Sequence, residues 1–328
     1  MKAVRILRPG GPDVLELTDV EPPVAGPGDV SVEVHCTALN RADLLQRAGQ
    51  YPPPDGVRAD IPGLEYAGVI SSVGDEVDES AVGSWVMGLV PGASYAECVV
   101  TPFDETLAIP ERLGFTGGAA VPEAFSTAWD ALLQAGFEAG MSVLVHAAGS
   151  GVGTAALQLA HAFGASRVYG TASAGKLSAI AERQLPLDVP IDYRTTAFRD
   201  VIRRETGGAG VDVILDLIGA SYWTDNLTSL ADRGRLVLVG LLGGVTAQTN
   251  LGVILRRRLH VIGTVMRSRG SDERREIARR VREDLLPKFD DGSLEPVVDR
   301  VFPLAEAAAA HRYMEDNRNL GKILLTVS

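Results

Sequence analysis

The segment Val143-Leu144-Val145-His146-Ala147-Ala148-Gly149-Ser150-Gly151-Val152-Gly153-Thr154-Ala155-Ala156-Leu157-Gln158 constrains this 328-residue chain more than any other. A short apolar run meets a glycine-rich turn, which passes directly into a stretch with helical apolar spacing. Small residues there let a backbone approach a pyrophosphate closely, and the unpaired N–H groups of the helix start face its oxygens. The spacing departs from a strict G-x-G-x-x-G: Thr154 stands where the third glycine belongs, and Gly153 comes one residue earlier. A glycine triplet by itself also marks ordinary tight turns, so its surroundings decide the reading.

Those surroundings alternate strand and helix. Strand candidates are Ser142–Ala147, Arg167–Thr171, Val189–Tyr193, Val211–Leu217, Arg235–Leu241 and Leu259–Thr264. Helix candidates between them are Gly153–Phe163, Lys176–Gln184, Phe198–Thr206 and Trp223–Leu230. Near-continuous apolar strands suit a parallel sheet covered on both faces, so residues 123–266 read as an α/β, doubly wound, six-stranded parallel sheet of the Rossmann type. Residues 1–122 differ: short strand-like runs alternate with Gly/Pro punctuation, as in a small β-barrel, with one helix near Arg41–Ala48. Residues 267–328 add a charged helix from about Asp272 to Phe289, with Ile277, Val281 and Leu285 as its apolar stripe. A strand Pro296–Phe302, an alanine-rich helix and a last strand Lys322–Val327 follow, too little for a separate domain, so this tail is expected to pack on the first stretch.

Composition removes other classes. With 46% hydrophobic and 22% charged residues, the chain is neither disordered nor fibrous, and no apolar run reaches membrane-spanning length. A net charge of −11 repels phosphate backbones and acidic lipid, which argues against a dedicated nucleic-acid or membrane partner. Two cysteines, Cys36 and Cys98, make no disulfide framework, and Met1 to Pro9 carries no secretory pattern, so a cytoplasmic location is expected.

The second strand of the nucleotide half sets an expectation for the cofactor. An NAD site wants a carboxylate about 20 residues after the turn, on the ribose 2′-hydroxyl. The stretch Arg167 to Lys176 contains none, and it offers Ser173 and Lys176 where a 2′-phosphate would sit; NADP(H) is the expectation. A zinc site is not expected. His35 and Cys36 alternate on a strand, Cys98 has no cysteine partner nearby, and the five histidines form no ligand pairing. Candidate catalytic groups are Asn40, Tyr51 and Ser150. Asn40 also suits the cap of the helix after it, Tyr51 precedes three prolines on a stiff loop, and Ser150 also suits a plain turn.

The chain resembles the zinc-free quinone oxidoreductases of the medium-chain dehydrogenase/reductase superfamily, the zeta-crystallin group. Matching residues run from Pro9-Gly10-Gly11-Pro12 through Asn40-Arg41-Ala42-Asp43 to Asn319-Leu320-Gly321-Lys322. Around the nucleotide turn they are Gly140, Leu144, Ala148, Gly149, Gly151, Gly153, Gln158 and His161. Ser150 departs from the usual glycine; with Gln50-Tyr51 and Gly219-Ala220-Ser221-Tyr222-Trp223 it is similar to the tumour-suppressor-inducible subgroup. Pro62-Gly63-Leu64-Glu65 occupies the place of the Gly-His-Glu motif of zinc-dependent relatives, and leucine is no zinc ligand.

The resemblance implies a GroES-like β-barrel catalytic domain made from residues 1–122 and 267–328, with the Rossmann domain of residues 123–266 inserted into it. Nicotinamide and substrate would meet in the cleft between the two. It further implies 2′-phosphate contacts at Ser173, Lys176 and Tyr193, and phosphate contacts at Thr127 and through Gly149, Ser150, Gly151, Val152 and Gly153. Leu241, Met266 and Asn317 would line or close the nicotinamide side. Homodimerisation would continue one sheet through Leu259–Thr264.

The expected activity is therefore zinc-independent hydride transfer from NADPH to a quinone, with Asn40 and Tyr51 as hydrogen-bond donors. The alternative enzyme is an NADPH-dependent reductase of enones or enoyl thioesters. A non-catalytic RNA-binding or crystallin-like role is the reading from another class. It would use Arg256-Arg257-Arg258 and the Arg267–Arg282 cluster, but acidic residues interleave with that cluster and favour a solvated face.

Overall fold

Punctuated apolar runs at the start of the chain become strands: β1 (Lys2–Ile6), β2 (Leu15–Asp19), β3 (Asp29–Ala38), β4 (Glu65–Val73), β5 (Trp85–Leu89), β6 (Cys98–Pro102) and a two-residue β7 (Leu107–Ala108). The computed structural model describes residues 1–327, which form two compact units: residues 1–126 with 266–327, and residues 127–265.

In the first unit, β3 is central and pairs antiparallel with both β4 and β6. Period-two alternation places Val30, Val32 and Val34 in one cluster with Tyr66, Ile70, Val86 and Val99. Register shifts between Ser31 and Val32 and between Val34 and Cys36 bend β3. At Gly68 the neighbouring strand comes so close that an added Cβ would lie 2.0 Å from the Glu33 carbonyl oxygen. After β3 comes α1 (Arg41–Arg47), where Asp43 Oδ2 accepts the Asn40 amide at 2.7 Å and ties down the helix start. Helix α2 (Gly114–Ala119) follows β7, and α3 (Pro122–Gln134), which no strong periodicity announced, begins with proline in its first turn.

The second unit contains β8 (Ser142–Val145), α4 (Gly151–Ala162), β9 (Arg167–Ala172), α5 (Ala174–Glu182), β10 (Val189–Asp192), α6 (Phe198–Glu205), β11 (Val211–Asp216), α7 (Trp223–Ser229), β12 (Leu230–Leu238), α8 (Leu251–Arg257) and β13 (His260–Gly263). All strand pairs are parallel, in the order β10-β9-β8-β11-β12-β13. That is the doubly wound arrangement expected from the alternation. Its core joins Leu144, Tyr169, Ile191, Ile214 and Leu236 from the sheet to Phe198, Ile202 and Leu227 from the helices.

The largest departures from the sequence expectation are at β12 and α8. Strand β12 begins at Leu230, which pairs with Val211, and it ends at Leu238, so Leu241 lies in the loop beyond it. The chain turns there because the amides of Val239 and Gly240 both bond the Asp216 carbonyl. Helix α8 was not foreseen; Asn250 starts it by accepting the Gly252 amide at 3.0 Å, while its apolar residues Leu251 and Leu255 stay exposed.

In the tail, α9 (Ser271–Arg280) runs through a π turn (Val281–Leu285) into α10 (Leu286–Asp290). Pro287 has no N–H to sustain the regular ladder, and the wider turn precedes it. Ile277, Val281 and Leu285 are buried as one stripe. Strands β14 (Val298–Pro303) and β15 (Lys322–Thr326) flank α11 (Ala307–Glu315), and β15 pairs antiparallel with β3, so the tail completes the sheet of the first unit.

Candidate active site

In the second unit the candidate cofactor residues follow the carboxyl ends of parallel strands, the edge where doubly wound sheets bind ligands. The glycine turn follows β8, Ser173 and Lys176 follow β9, Tyr193 follows β10, and Leu241 follows β12; Thr127 lies on α3 and is buried. Ser150 is extended (φ −80°, ψ 168°), and its Oγ accepts the Gly153 amide at 3.0 Å, so it caps α4. The hydroxyl proton remains available for an anion. Among the described residues, the amides of Gly149, Gly151 and Val152 have no acceptor. Gly153 acts through its lack of a side chain. An added Cβ would lie 2.3 Å from the Ala147 carbonyl oxygen, so glycine here lets helix and turn approach. Open amides at the head of a twelve-residue helix fit a pyrophosphate.

The end of β9 carries no carboxylate of its own. Asp192, opposite Ala172 on the neighbouring strand, accepts the Arg194 amide at 3.0 Å. Ser173 precedes α5 without capping it. Tyr193 is 46% exposed with the Arg194 guanidinium 5.9 Å from its ring centre. The Tyr222 phenol is pushed up to about 12 by burial, with Tyr193 and Asp216 adding to the shift.

In the first unit the candidate polar groups fall into three clusters. Asn40 belongs to the first, with the fully buried Glu65 and with Lys322. The Lys322 ammonium donates to Glu65 Oε1 at 2.7 Å, Asn40 Oδ1 at 2.7 Å and the Leu39 carbonyl at 2.9 Å, which uses all three of its protons. Asn40 Nδ2 donates to Glu65 Oε1 at 2.8 Å, and Glu65 Oε2 accepts the Glu123 amide at 2.8 Å. Asn40 is thus held rigidly, with one amide hydrogen left to offer.

Tyr51 belongs to the second cluster. Arg267, 6% exposed, donates to the Pro91 carbonyl, the Tyr51 carbonyl and Gln46 Oε1, and its guanidinium lies 5.2 Å from the Tyr51 ring centre. Burial raises the Tyr51 phenol above its ordinary value, and the Arg267 charge offsets part of that shift. The Tyr51 hydroxyl has no partner among the described residues. Asn317 stands in the third: in a left-handed conformation (φ 54°), it accepts from Arg41 at 2.7 Å. Met266 is buried next to Arg267.

Sequence reasoning missed Glu65, Lys322 and Arg267. Their partners lie 25 to 283 positions away, so no local pattern exposes them.

An open-amide glycine turn at the carboxyl edge of a doubly wound sheet, in a chain whose other unit bears rigidly held polar donors, defines a nicotinamide-nucleotide oxidoreductase. Residues 26–133 match the family described as alcohol dehydrogenase GroES-like domain, and residues 185–325 match zinc-binding dehydrogenase. A rat relative, synaptic vesicle membrane protein VAT-1 homolog, is 34% identical over 335 residues, covering 96% of this chain and 81% of the relative. The crystal structure of a quinone oxidoreductase from Pseudomonas syringae pv. Tomato DC3000 has a TM-score of 0.88 and 30% identity, covering 99% of each chain. The enoyl reductase JamJ in its apo form has a TM-score of 0.88 at 27% identity, covering 100% of this chain and 99% of that one. The chain belongs to the medium-chain dehydrogenase/reductase superfamily, in its zeta-crystallin-like quinone oxidoreductase group.

The residues present do not fit the zinc named in the second family description. Leu64 is buried in front of Glu65, whose two oxygens are taken by Lys322, Asn40 and the Glu123 amide. Burial pushes the Cys36 thiol up to about 12, far from the thiolate a metal needs, and His35 stacks on Phe115 at 4.2 Å. Among the described residues no three His, Cys, Asp or Glu side chains are grouped to hold a metal.

Proposed function

We propose that the chain catalyses reduction of a quinone by NADPH without a metal ion. The cofactor reading rests on the end of β9, where Ser173 and Lys176 follow a strand without a carboxylate and Asp192 nearby is engaged by the Arg194 amide. Gly149, Gly151 and Val152 would hold the pyrophosphate through their amides, Ser150 would add its hydroxyl proton, and Tyr193 would flank the adenosine end. When bound, NADPH supplies the hydride.

The acceptor reading rests on one observation: the Tyr51 hydroxyl is unpartnered, and burial raises its pKa. Such a phenol keeps its proton, so it has a hydrogen bond to donate, and it is a poor acid. A quinone takes the arriving negative charge on oxygen, where a donated hydrogen bond and one proton suffice. The Tyr51 hydroxyl would donate a hydrogen bond to that oxygen, and the proton would come from water. Asn40, fixed by Lys322 and Glu65, offers its remaining amide hydrogen.

Reduction of an activated alkene, favoured by the likeness to JamJ, needs a proton delivered to carbon and hence a stronger acid. NADPH oxidation measured against a quinone panel and an enone panel separates the two. Turnover with quinones is expected to exceed that with enones, and Tyr51→Phe to lower it roughly ten- to hundredfold at unchanged NADP⁺ affinity. Faster turnover with enones would replace this reading.

The protein is further proposed to be a homodimer in a reducing, cytoplasmic setting, with two free cysteines and, among the described residues, no helix long and apolar enough to cross a membrane. Strand β13 is a sheet edge, and Val261, Val265, Leu251 and Leu255 near it are exposed. Val261→Lys should convert the sedimenting species to a monomer; an unchanged sedimentation coefficient would remove this edge from the interface.

A further inference from the structure

A polar chain crosses the interior of the second unit where a doubly wound sheet ordinarily holds only apolar residues. Thr171, His146, Asn226 and Asp216 are all at most 1% exposed. His146 Nδ1 lies 2.9 Å from Thr171 Oγ1, and His146 Nε2 lies 2.7 Å from Asn226 Oδ1. Asn226 Nδ2 lies 2.9 Å from Asp216 Oδ2, and Asp216 Oδ1 accepts the amides of Ile218 and Gly219 at 2.7 and 3.0 Å.

The direction of every bond follows from one end. A carboxylate only accepts, so Asn226 presents its NH₂ to Asp216 and its carbonyl to His146. His146 therefore carries its proton on Nε2 and accepts the Thr171 hydroxyl at Nδ1. The same ring is packed edge-on by Phe198 at 4.7 Å and Tyr222 at 4.8 Å, which excludes water.

The polar chain reaches three cofactor-facing turns. Its first anchor is the residue before the glycine turn. Ala147, next to His146, is left-handed (φ 50°), a strained state for a residue with a Cβ. Both neighbours are fastened: His146 through its ring, and Ala148 through its amide to the Thr171 carbonyl at 3.0 Å. Thr171 thus binds the turn twice, and two residues later the chain reaches Ser173. At the far end, the Asp216 carboxylate shapes the Ile218–Gly219 turn while its carbonyl holds the amides of Val239 and Gly240, just before Leu241.

We propose that His146, Asn226 and Asp216 are positioning residues for the nucleotide, holding the phosphate turn, the Ser173 turn and the Leu241 loop in one fixed relation. The proposal rests on the reading that the nucleotide binds at residues 149–153. None of the three side chains need touch it. Their effect comes through the strained turn, whose open amides point usefully only while Ala147 stays left-handed.

The test is NADP⁺ binding by calorimetry, with thermal melting of each unliganded variant alongside. Asn226→Leu keeps volume and removes both bonds; affinity should fall about tenfold or more. Asn226→Asp sets two carboxylates against each other and should also weaken binding. Adding Asp216→Asn to it restores every bond. The side-chain amide introduced at position 216 donates to the carboxylate introduced at position 226, and its oxygen still accepts both backbone amides. Affinity should then return to within about threefold of wild type. The swap would restore core stability as well, so the comparison of affinity is made between variants whose melting shows them folded at the assay temperature. Thr171→Val, which loses only one hydroxyl, carries the test if Asn226→Leu does not fold, with about threefold weaker binding expected. Imidazole ¹⁵N shifts of His146 should report the Nε2-protonated neutral ring. Unchanged affinity in folded Asn226→Leu or, failing that variant, in Thr171→Val would overturn the proposal. So would a double variant no better than Asn226→Asp, or an Nδ1-protonated ring. If the wild type binds no nicotinamide nucleotide, the functional reading itself fails, a different result from a wild type that binds and variants that bind equally.

Discussion

Ser173 and Lys176, which follow β9, are the residues proposed to meet a 2′-phosphate. A carboxylate there would repel the phosphate; the nearest one in register, Asp192, is turned to the Arg194 amide. Lys176→Glu should shift the NADPH-to-NADH preference toward NADH by roughly a hundredfold, since it removes a charge attraction and adds a repulsion. Steady-state kcat/KM with each nucleotide measures it, and an unmoved ratio would reject the cofactor argument. Asn40 and Tyr51 were legible as residue types that donate hydrogen bonds. That Asn40 is clamped by Lys322 and Glu65, and that Arg267 sits over the Tyr51 ring, was not legible. Those partners come from distant segments, and no spacing rule encodes them.

Among elements, α4 and the turn before it concentrate the most consequence in the fewest residues. Ser150 caps the helix, Gly153 admits the Ala147 carbonyl, and the first amides stay open. A methyl group at 153 would press on backbone at 2.3 Å, and backbone cannot rotate aside as a side chain can. Gly153→Ala should therefore abolish measurable NADP⁺ binding and lower the melting temperature by several degrees. Binding within about threefold of wild type would show that the close approach is dispensable. The strands of this region were readable because continuous apolar runs are what a sheet covered on both faces requires. The end of β12 was not, since Val239 to Leu241 look like strand but the amides of Val239 and Gly240 turn to Asp216. Of the arginine cluster, Arg275, Arg279 and Arg280 form the solvated face expected, paired with Asp104, Asp272, Glu276 and Glu283, whereas Arg274 pairs with the buried Glu105 and Arg267 is itself buried.

For the whole molecule, buried titratable groups set the response to acid. Burial lowers His146 to about 4, and burial together with Arg47 lowers His311 to about 3. An unfolded chain protonates both below about 6.5 while the folded chain does not, so each subtracts about 1.4 kcal/mol per pH unit on acidification. Asp43 has the opposite sign. Burial raises its carboxyl to about 6 against the amides of Asn40 and Gly63 and the charges of Lys322 and Arg267, so its contribution is greatest in acid and is lost as pH rises toward 6. His311 and Asp43 share the first unit, where they nearly cancel between about pH 4 and 6. His146 is in the second unit, where Asp216, also raised by burial, opposes it. Hydrogen exchange at about pH 6.5 and about pH 4.5 should show residues 127–265 losing protection first. Equal loss in both units, or earlier loss in the first, would contradict this balance.

By itself the sequence determined the layout: a doubly wound sheet, a glycine-rich turn between its first strand and helix, and a strand-rich remainder. Periodicity and turn chemistry are local, written within about ten or fifteen consecutive residues, and they are what a sheet, a helix and a tight turn each demand. Only the tertiary structure decided which polar groups meet. Glu65 and Lys322 are 257 positions apart, and His146 and Asn226 are 80 apart. A buried charge or ring nitrogen must find its partner wherever the fold brings one, and a local pattern holds no record of that encounter.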